Sequence, residues 1–221
     1  MNFSELRNKC KRDSDYIITL FITNEISLLL TWILVKTRVT PNQVTVASII
    51  GGLFCGLCYA FGWFLIGSIF LFFSHILDCT DGNLARAKEM FSPFGKWLDM
   101  VGDRVCEVFI FIGVSFYFVN IESQIVWVIL PVVDALILAV YYYIVDISLA
   151  LGLSKPKQTL TSMKFKGVHV KWGIMEPVIY GFIILVPLGL LKVQVILVLL
   201  LCLSGLAYQF FKSYPWKKMR I

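Results

Sequence analysis

A chain of 221 residues with 58% hydrophobic side chains, only 15% charged ones and a mean hydropathy of +0.81 falls outside the soluble globular range, where about a quarter of residues are charged. That excludes an ordinary soluble domain and predicts an integral membrane protein. The net charge of +6 needs no nucleic acid to explain it, because its distribution matches membrane topology and attraction to anionic lipid.

Residues 1–13 are charged and lack the positive start, short apolar core and small-residue cleavage site of a removable signal peptide, which predicts an N-terminus that stays cytoplasmic. Residues 14–37, "SDYIITLFITNEISLLLTWILVKT", are apolar but interrupted by Asp15, Asn24 and Glu25. They predict an amphipathic helix lying along the cytoplasmic interface rather than a span. In "RVTPNQVT", Thr40 can cap a helix and Pro41 can take its first position, where a missing N–H costs nothing. The same grammar recurs in "FSPFGKW", with Ser92 as cap and Pro93 at the first helical position.

Apolar runs near 43–62, 64–88, 96–118, 124–147, 173–190 and 193–211 are each close to the roughly 20 helical residues that cross a hydrocarbon layer of about 30 Å. The expected fold is therefore all-α and polytopic, with six transmembrane helices in a domain covering 41–221 and a cytoplasmic segment with the interfacial helix covering 1–40. Positive charge fixes the orientation. Arg7, Lys9, Lys11, Arg12, Lys36 and Arg38 precede the first span, and Arg86, Lys88 and Lys96 flank the connection between the second and third. Lys155, Lys157, Lys164, Lys166 and Lys171 fill the loop "SKPKQTLTSMKFKGVHVKW", and Lys212, Lys217, Lys218 and Arg220 follow the last span. Lys192 alone falls in an expected outer loop, so both termini are placed inside.

The second and third runs carry acids that a lipid-facing helix would not tolerate. At about 100° per residue, Asp78, Asp81, Gly82 and Ala85 share one face, while Gly95, Asp99 and Asp103 follow one another at one-turn intervals. If the second helix starts near Phe64 on the outside, Asp78 lies roughly 21 Å inward and Arg86 roughly 33 Å inward, so the acids sit in the layer and open to the cytoplasm. A charge at mid-helix costs about 2.5–3.5 kcal/mol even on the lenient insertion scale, and neighbouring carboxylates also repel. Divalent cations offset both costs, and magnesium commonly combines carboxylates with substrate phosphates. The pattern thus predicts a metal and a phosphorylated ligand together, with Gly82 and Ala85 leaving room for the ligand to approach the backbone.

The eight positions Asp78-x-x-Asp81-Gly82-x-x-Ala85-Arg86, then eight residues, then Gly95-x-x-x-Asp99-x-x-x-Asp103 resemble, without gap or substitution, the signature of the CDP-alcohol phosphotransferases. "TPNQVT" and the six-span layout resemble that family more weakly. The resemblance implies metal-dependent transfer of a phosphorylated alcohol from a CDP-linked donor, such as CDP-diacylglycerol, to an acceptor hydroxyl, with release of CMP, in phospholipid synthesis. It implies two Mg2+ or Mn2+ ions on Asp78, Asp81, Asp99 and Asp103, with Asp103 also the general base. Gly82, Ala85 and Gly95 would accommodate the nucleotide, Asn42 and Thr45 would line its pocket, and a homodimer would be the working form. The acceptor is open, a phosphorylated polyol being one candidate.

Other residues keep two readings. Arg86 either anchors the inner edge by reaching headgroups or meets substrate phosphate; Arg104 either pairs with an acid or holds a phosphate on the acceptor. His75 reads first as a satisfied core histidine, and His169 belongs to the basic loop. Asp134 and Glu176 fall within expected spans, as polar packing or as substrate contacts. Cys55 and Cys58 form a C-x-x-C with no second pair, which reads better as buried small side chains than as a zinc site. An aspartate-rich prenyltransferase and a divalent-cation transporter are the rival functions; the transporter accounts for the acids but not for Gly82, Ala85, Arg86 and Gly95.

Overall fold

The computed structural model describes residues 2–12, 14–151, 164–165, 168–171 and 173–213. The chain runs through α1 (Phe3–Lys9), β1 (Ser14–Tyr16), a π-helical stretch (Thr19–Thr23), α2 (Asn24–Leu34), α3 (Pro41–Ala60), α4 (Phe64–Lys88), α5 (Pro93–Ile121), α6 (Ile125–Ala150), β2 (Lys164–Phe165), β3 (Val168–Lys171), α7 (Met175–Ile184) and α8 (Leu191–Ser213).

Both expected caps form. The Thr40 hydroxyl accepts from the Gln43 N–H at 3.4 Å while Gln43 Oε1 accepts from the Thr40 N–H at 2.9 Å, a reciprocal box that starts α3 with Pro41 in its first turn. Ser92 Oγ accepts from the Gly95 N–H at 2.9 Å and starts α5. Between them α4 ends at Glu89, whose left-handed backbone (φ 57°) turns the chain sharply; Lys9 pairs with the Glu89 carboxylate at 2.7 Å and holds it below the usual carboxylate range. The connection between α4 and α5 is therefore short and braced at both ends.

Five helices, α3, α4, α5, α6 and α8, are long and apolar enough to cross a membrane, and the chain is a multi-pass membrane protein. Their outward faces expose large apolar side chains, among them Phe54, Leu65, Phe73, Phe116 and Leu200, as a lipid solvent requires. The run expected to span at 173–190 is different: α7 has ten helical residues, about 15 Å of rise, followed by turns as far as Gly189. Pro187 cannot donate a backbone hydrogen bond and Gly189 adopts φ 79°, a conformation glycine takes without penalty. A regular helix stops there.

The core gathers Tyr59 from α3, Phe111, Val114 and Phe118 from α5, Leu138 from α6, Phe182 from α7, Val186 from the turns that follow it, and Val195 and Val198 from α8. Tyr59 and Ser68 both donate to the Phe182 carbonyl, at 2.9 and 3.0 Å, which ties α7 to α3 and α4. Where α3 crosses α5, a side chain on Gly113 would run into the backbone of Gly56, so the two helices meet backbone to backbone, as small residues permit in membranes. Cys55 and Cys58 are both buried beside this crossing.

Two features depart from the expected N-terminal organisation. Residues 14–37 are not one helix: β1 comes first, and the π-helical stretch then feeds α2. Asn24 and Glu25, which interrupt the apolar run, are used in contacts, Glu25 with Arg7 and Asn24 with Asn83 of α4 at 3.5 Å. The π-helical stretch is held by α7, the Thr19 N–H donating to Glu176 Oε1 at 2.8 Å and Thr23 bonding the Tyr180 hydroxyl at 2.7 Å. The second departure is a small sheet in an otherwise helical chain. β3 pairs in parallel with β1, Ser14 opposite His169 and Tyr16 opposite Lys171, and antiparallel with β2. The loop alternates, Phe165, Val168 and Val170 against lysines and His169, and a two-residue period is a strand signal; only its charge entered the expectation. Lys155, Lys157 and Lys166 and the His169 side chain lie outside what is described.

Candidate functional site

The C-terminal end of α4 and the N-terminal end of α5 bring the acids together. One carboxylate oxygen from each of Asp78, Asp99 and Asp103 lies within 4.8 Å of the others, close enough that a cation among them would relieve their mutual repulsion. Asp81 points to the neighbouring side, buried, with Oδ2 accepting from the Thr45 hydroxyl at 2.5 Å. Thr45 thereby aims Asp81 from α3.

Two cavities meet at these acids. One, of about 520 Å³, is lined by Asn42, Thr45, Asp81, Gly82, Ala85, Gly95 and Asp99; a β-carbon on Gly82 would come to 3.5 Å from Arg86 Nη2, so glycine leaves that wall open. Gly95 acts by proximity, since a β-carbon there would press within 2.7 Å of Asn42 Oδ1. The other cavity, of about 570 Å³, is bordered by Asp78, Asp103, Arg104 and Glu107. Arg86 borders both cavities. It turns inward and donates to Asn83 Oδ1 at 2.7 Å, an orientation that favours the substrate-facing reading over the headgroup anchor. Arg104 is engaged on three sides: Nη1 donates to Glu107 Oε2 at 2.7 Å, Nη2 lies 3.8 Å from Asp103, and the guanidinium stacks 3.6 Å over the Tyr142 ring. That agrees with pairing to an acid.

Every residue of the expected set thus borders one cavity or the other. Several that border the second were missed. Arg12, counted only as a topological charge, is held by Asp15 at 3.2 Å and donates to the Cys79 carbonyl at 3.4 Å; no local pattern reveals that the N-terminus folds back here. Glu107 was legible, being four residues beyond Asp103 on the same helical stripe. His75 is not the satisfied core histidine expected. Its Nε2 is buried without a partner among the described residues, and it shares the second cavity with Asp78. Glu176 is committed to the Thr19 N–H. Asp134 is fully buried on α6 with neither carboxylate oxygen hydrogen-bonded among the described residues, away from both cavities.

The fold and this site define a multi-pass membrane protein with an acidic centre, able to take a metal ion, between two cavities. The chain belongs to the CDP-alcohol phosphatidyltransferase family, whose model matches residues 38–207. It is 34% identical over 95 residues to phosphatidylinositol phosphate synthase of Cutibacterium acnes, covering 42% of this chain and 46% of that protein. It is 43% identical over 67 residues to the bifunctional IPC transferase and DIPP synthase of Aquifex aeolicus, covering 30% of this chain and 15% of that one. The chain thus spans less than half the length of these relatives. Its fold matches the crystal structure of Mycobacterium tuberculosis phosphatidylinositol phosphate synthase with CDP-DAG bound, with TM-score 0.66 and 19% identity over 91% of this chain and 98% of that one. The same synthase in complex with manganese and citrate matches with TM-score 0.64 and 19% identity, over 90% of this chain and 93% of that one.

Proposed function

We propose that this protein transfers a substituted phosphate group from a CDP-linked lipid, of which CDP-diacylglycerol is the first candidate, to the hydroxyl of an acceptor alcohol, releasing CMP. The observation that carries the reading is the convergence of Asp78, Asp99 and Asp103 from two helices to within 4.8 Å. The donor set is all oxygen and anionic, which suits Mg2+ or Mn2+; Asp78, Asp81, Asp99 and Asp103 are the residues that would hold a pair of them. Bound there, the ions would supply neutralisation of the donor pyrophosphate and of the departing CMP.

The chain's own residues do the rest. The cavity beside Asn42, Thr45, Gly82, Ala85 and Gly95 takes the cytidine nucleotide, with no side chain on Gly82 to obstruct it. Arg86, bordering both cavities, faces the phosphates. Asp103 borders the second cavity and accepts the proton of the acceptor hydroxyl as that oxygen forms its bond to the donor phosphorus and the bond to CMP breaks. The acceptor is read as a phosphorylated polyol, supported by the inositol phosphate in the relatives' names and by Arg12 and Arg104 at the cavity edge. The positive-inside pattern supports a site that faces the cytoplasm, and the family resemblance supports a homodimer.

Incubating the purified protein in nanodiscs with CDP-diacylglycerol, Mg2+ or Mn2+ and a panel of acceptors tests this. Metal-dependent CMP release with formation of a lipid phosphodiester is the expected result. Cation flux through liposomes without nucleotide cleavage is the outcome that would replace it with a transporter.

A further inference from the structure

The second cavity holds a concentration of unmet hydrogen-bonding capacity. Among the described residues, buried polar atoms without a partner occur on Arg12, His75, Arg86, Glu107 and Tyr142, and all five residues border this one cavity. Buried polar groups are nearly always paired, so a wall with this many open donors and acceptors fits a ligand that brings several polar groups of its own. Glu107 stands out among them. Arg104, fixed over the Tyr142 ring at 3.6 Å, occupies its Oε2 at 2.7 Å and leaves Oε1 as a buried acceptor with nothing to accept. Glu107 also continues the stripe of Asp99 and Asp103 along α5, one turn or about 6 Å of rise beyond Asp103. A hydroxyl delivered to Asp103 would therefore carry its further hydroxyls toward Glu107.

We propose that Glu107 is a specificity residue for the acceptor: its free Oε1 accepts a hydrogen bond from a second hydroxyl of the acceptor while the reacting hydroxyl lies at Asp103, so the acceptor is a polyol and not an alcohol with one hydroxyl. This rests on the transfer reading above and adds to it a reader for the non-reacting part of the substrate. A site that hydrogen-bonds a hydroxyl rejects the analogue lacking it far more strongly than an apolar pocket does.

Glu107→Gln is the discriminating variant. The amide keeps the shape but has one oxygen; Arg104 claims it, and an NH2 donor then faces the cavity in place of the acceptor. Wild type and variant are assayed in nanodiscs with CDP-diacylglycerol and Mg2+ against inositol phosphate, its monodeoxy analogues, glycerol 3-phosphate, serine and choline. In the wild type, kcat/KM falls at least 100-fold for one monodeoxy analogue relative to the parent. In Glu107→Gln that discrimination shrinks at least tenfold, chiefly through the acceptor KM, while the KM for CDP-diacylglycerol stays within twofold. An equal loss on every acceptor, with discrimination intact, means Glu107 only supports Arg104 and overturns the proposal. Wild-type preference for serine or choline overturns it too and leaves the transfer reading standing. No CMP release from the wild type with any acceptor overturns the transfer reading, and this proposal with it.

Discussion

Each aspartate of the site has its own neighbours, and the consequences of replacing it differ accordingly. Asp103 borders the second cavity and is read as both a metal ligand and the base; Asp103→Asn should lower turnover by about 10²–10⁴-fold, the range general-base removal spans, even at Mn2+ concentrations that saturate the variant. Activity near wild type would remove Asp103 from that role. Thr45 bonds Asp81 at 2.5 Å and has no charge to offer a ligand. Thr45→Val keeps its volume and loses the hydroxyl, and outer partners of this kind are typically worth about 10–100-fold in metal affinity, so Mn2+ titration should show a loss in that range. Gly82→Leu would fill the wall that glycine leaves open; it should abolish nucleotide binding without weakening Mn2+ binding, a separation readable by titrating each. The acids, Gly82 and Ala85 were legible from spacing alone, because helical periodicity converts sequence distance into a shared face. Arg12 and Asp15 were not, since their position depends on a chain reversal that no local pattern encodes.

The elements that carry these residues owe their geometry to a few local devices. The caps at Thr40 and Ser92 were readable because a hydroxyl before a proline has one efficient use at a helix start. The pairing of β1 with β3 was hidden by two things, the brevity of the strands and the lysines that drew the loop into a charge argument. The crossing at Gly56 and Gly113 packs α3, which carries Asn42 and Thr45, backbone to backbone against α5, which carries Asp99 and Asp103. Gly113→Val should force the backbones apart, lowering the melting temperature in detergent and metal affinity together, whereas a lipid-facing control, Phe116→Leu, should leave both unchanged. The run at 173–190 forms a shorter helix than its hydropathy suggests, for a simple reason. Composition made the run look continuous, and the stop at Pro187 and Gly189 lies too near its end to break the hydropathy.

Across the whole molecule, the arrangement is an apolar shell with its charge concentrated at one end of the bundle. The core of α3, α5, α6, α7 and α8 is built from apolar side chains with Tyr59 and two cysteines, while Arg12, Asp15, the four motif aspartates, Arg104 and Glu107 collect around two cavities where α4 ends and α5 begins. Hydropathy revealed the apolar shell, and the motif pointed to the acids that the fold brings together; the division into two cavities became visible only in three dimensions. The most direct test of the account is Mn2+ titration of the purified protein, wild type against Asp78→Asn, Asp99→Asn and Asp103→Asn, with thermal melting as the check on folding. Loss of Mn2+ affinity by at least about 100-fold in each variant, with the fold retained, is the predicted result; Mn2+ binding that is absent from the wild type or indifferent to all three changes contradicts it.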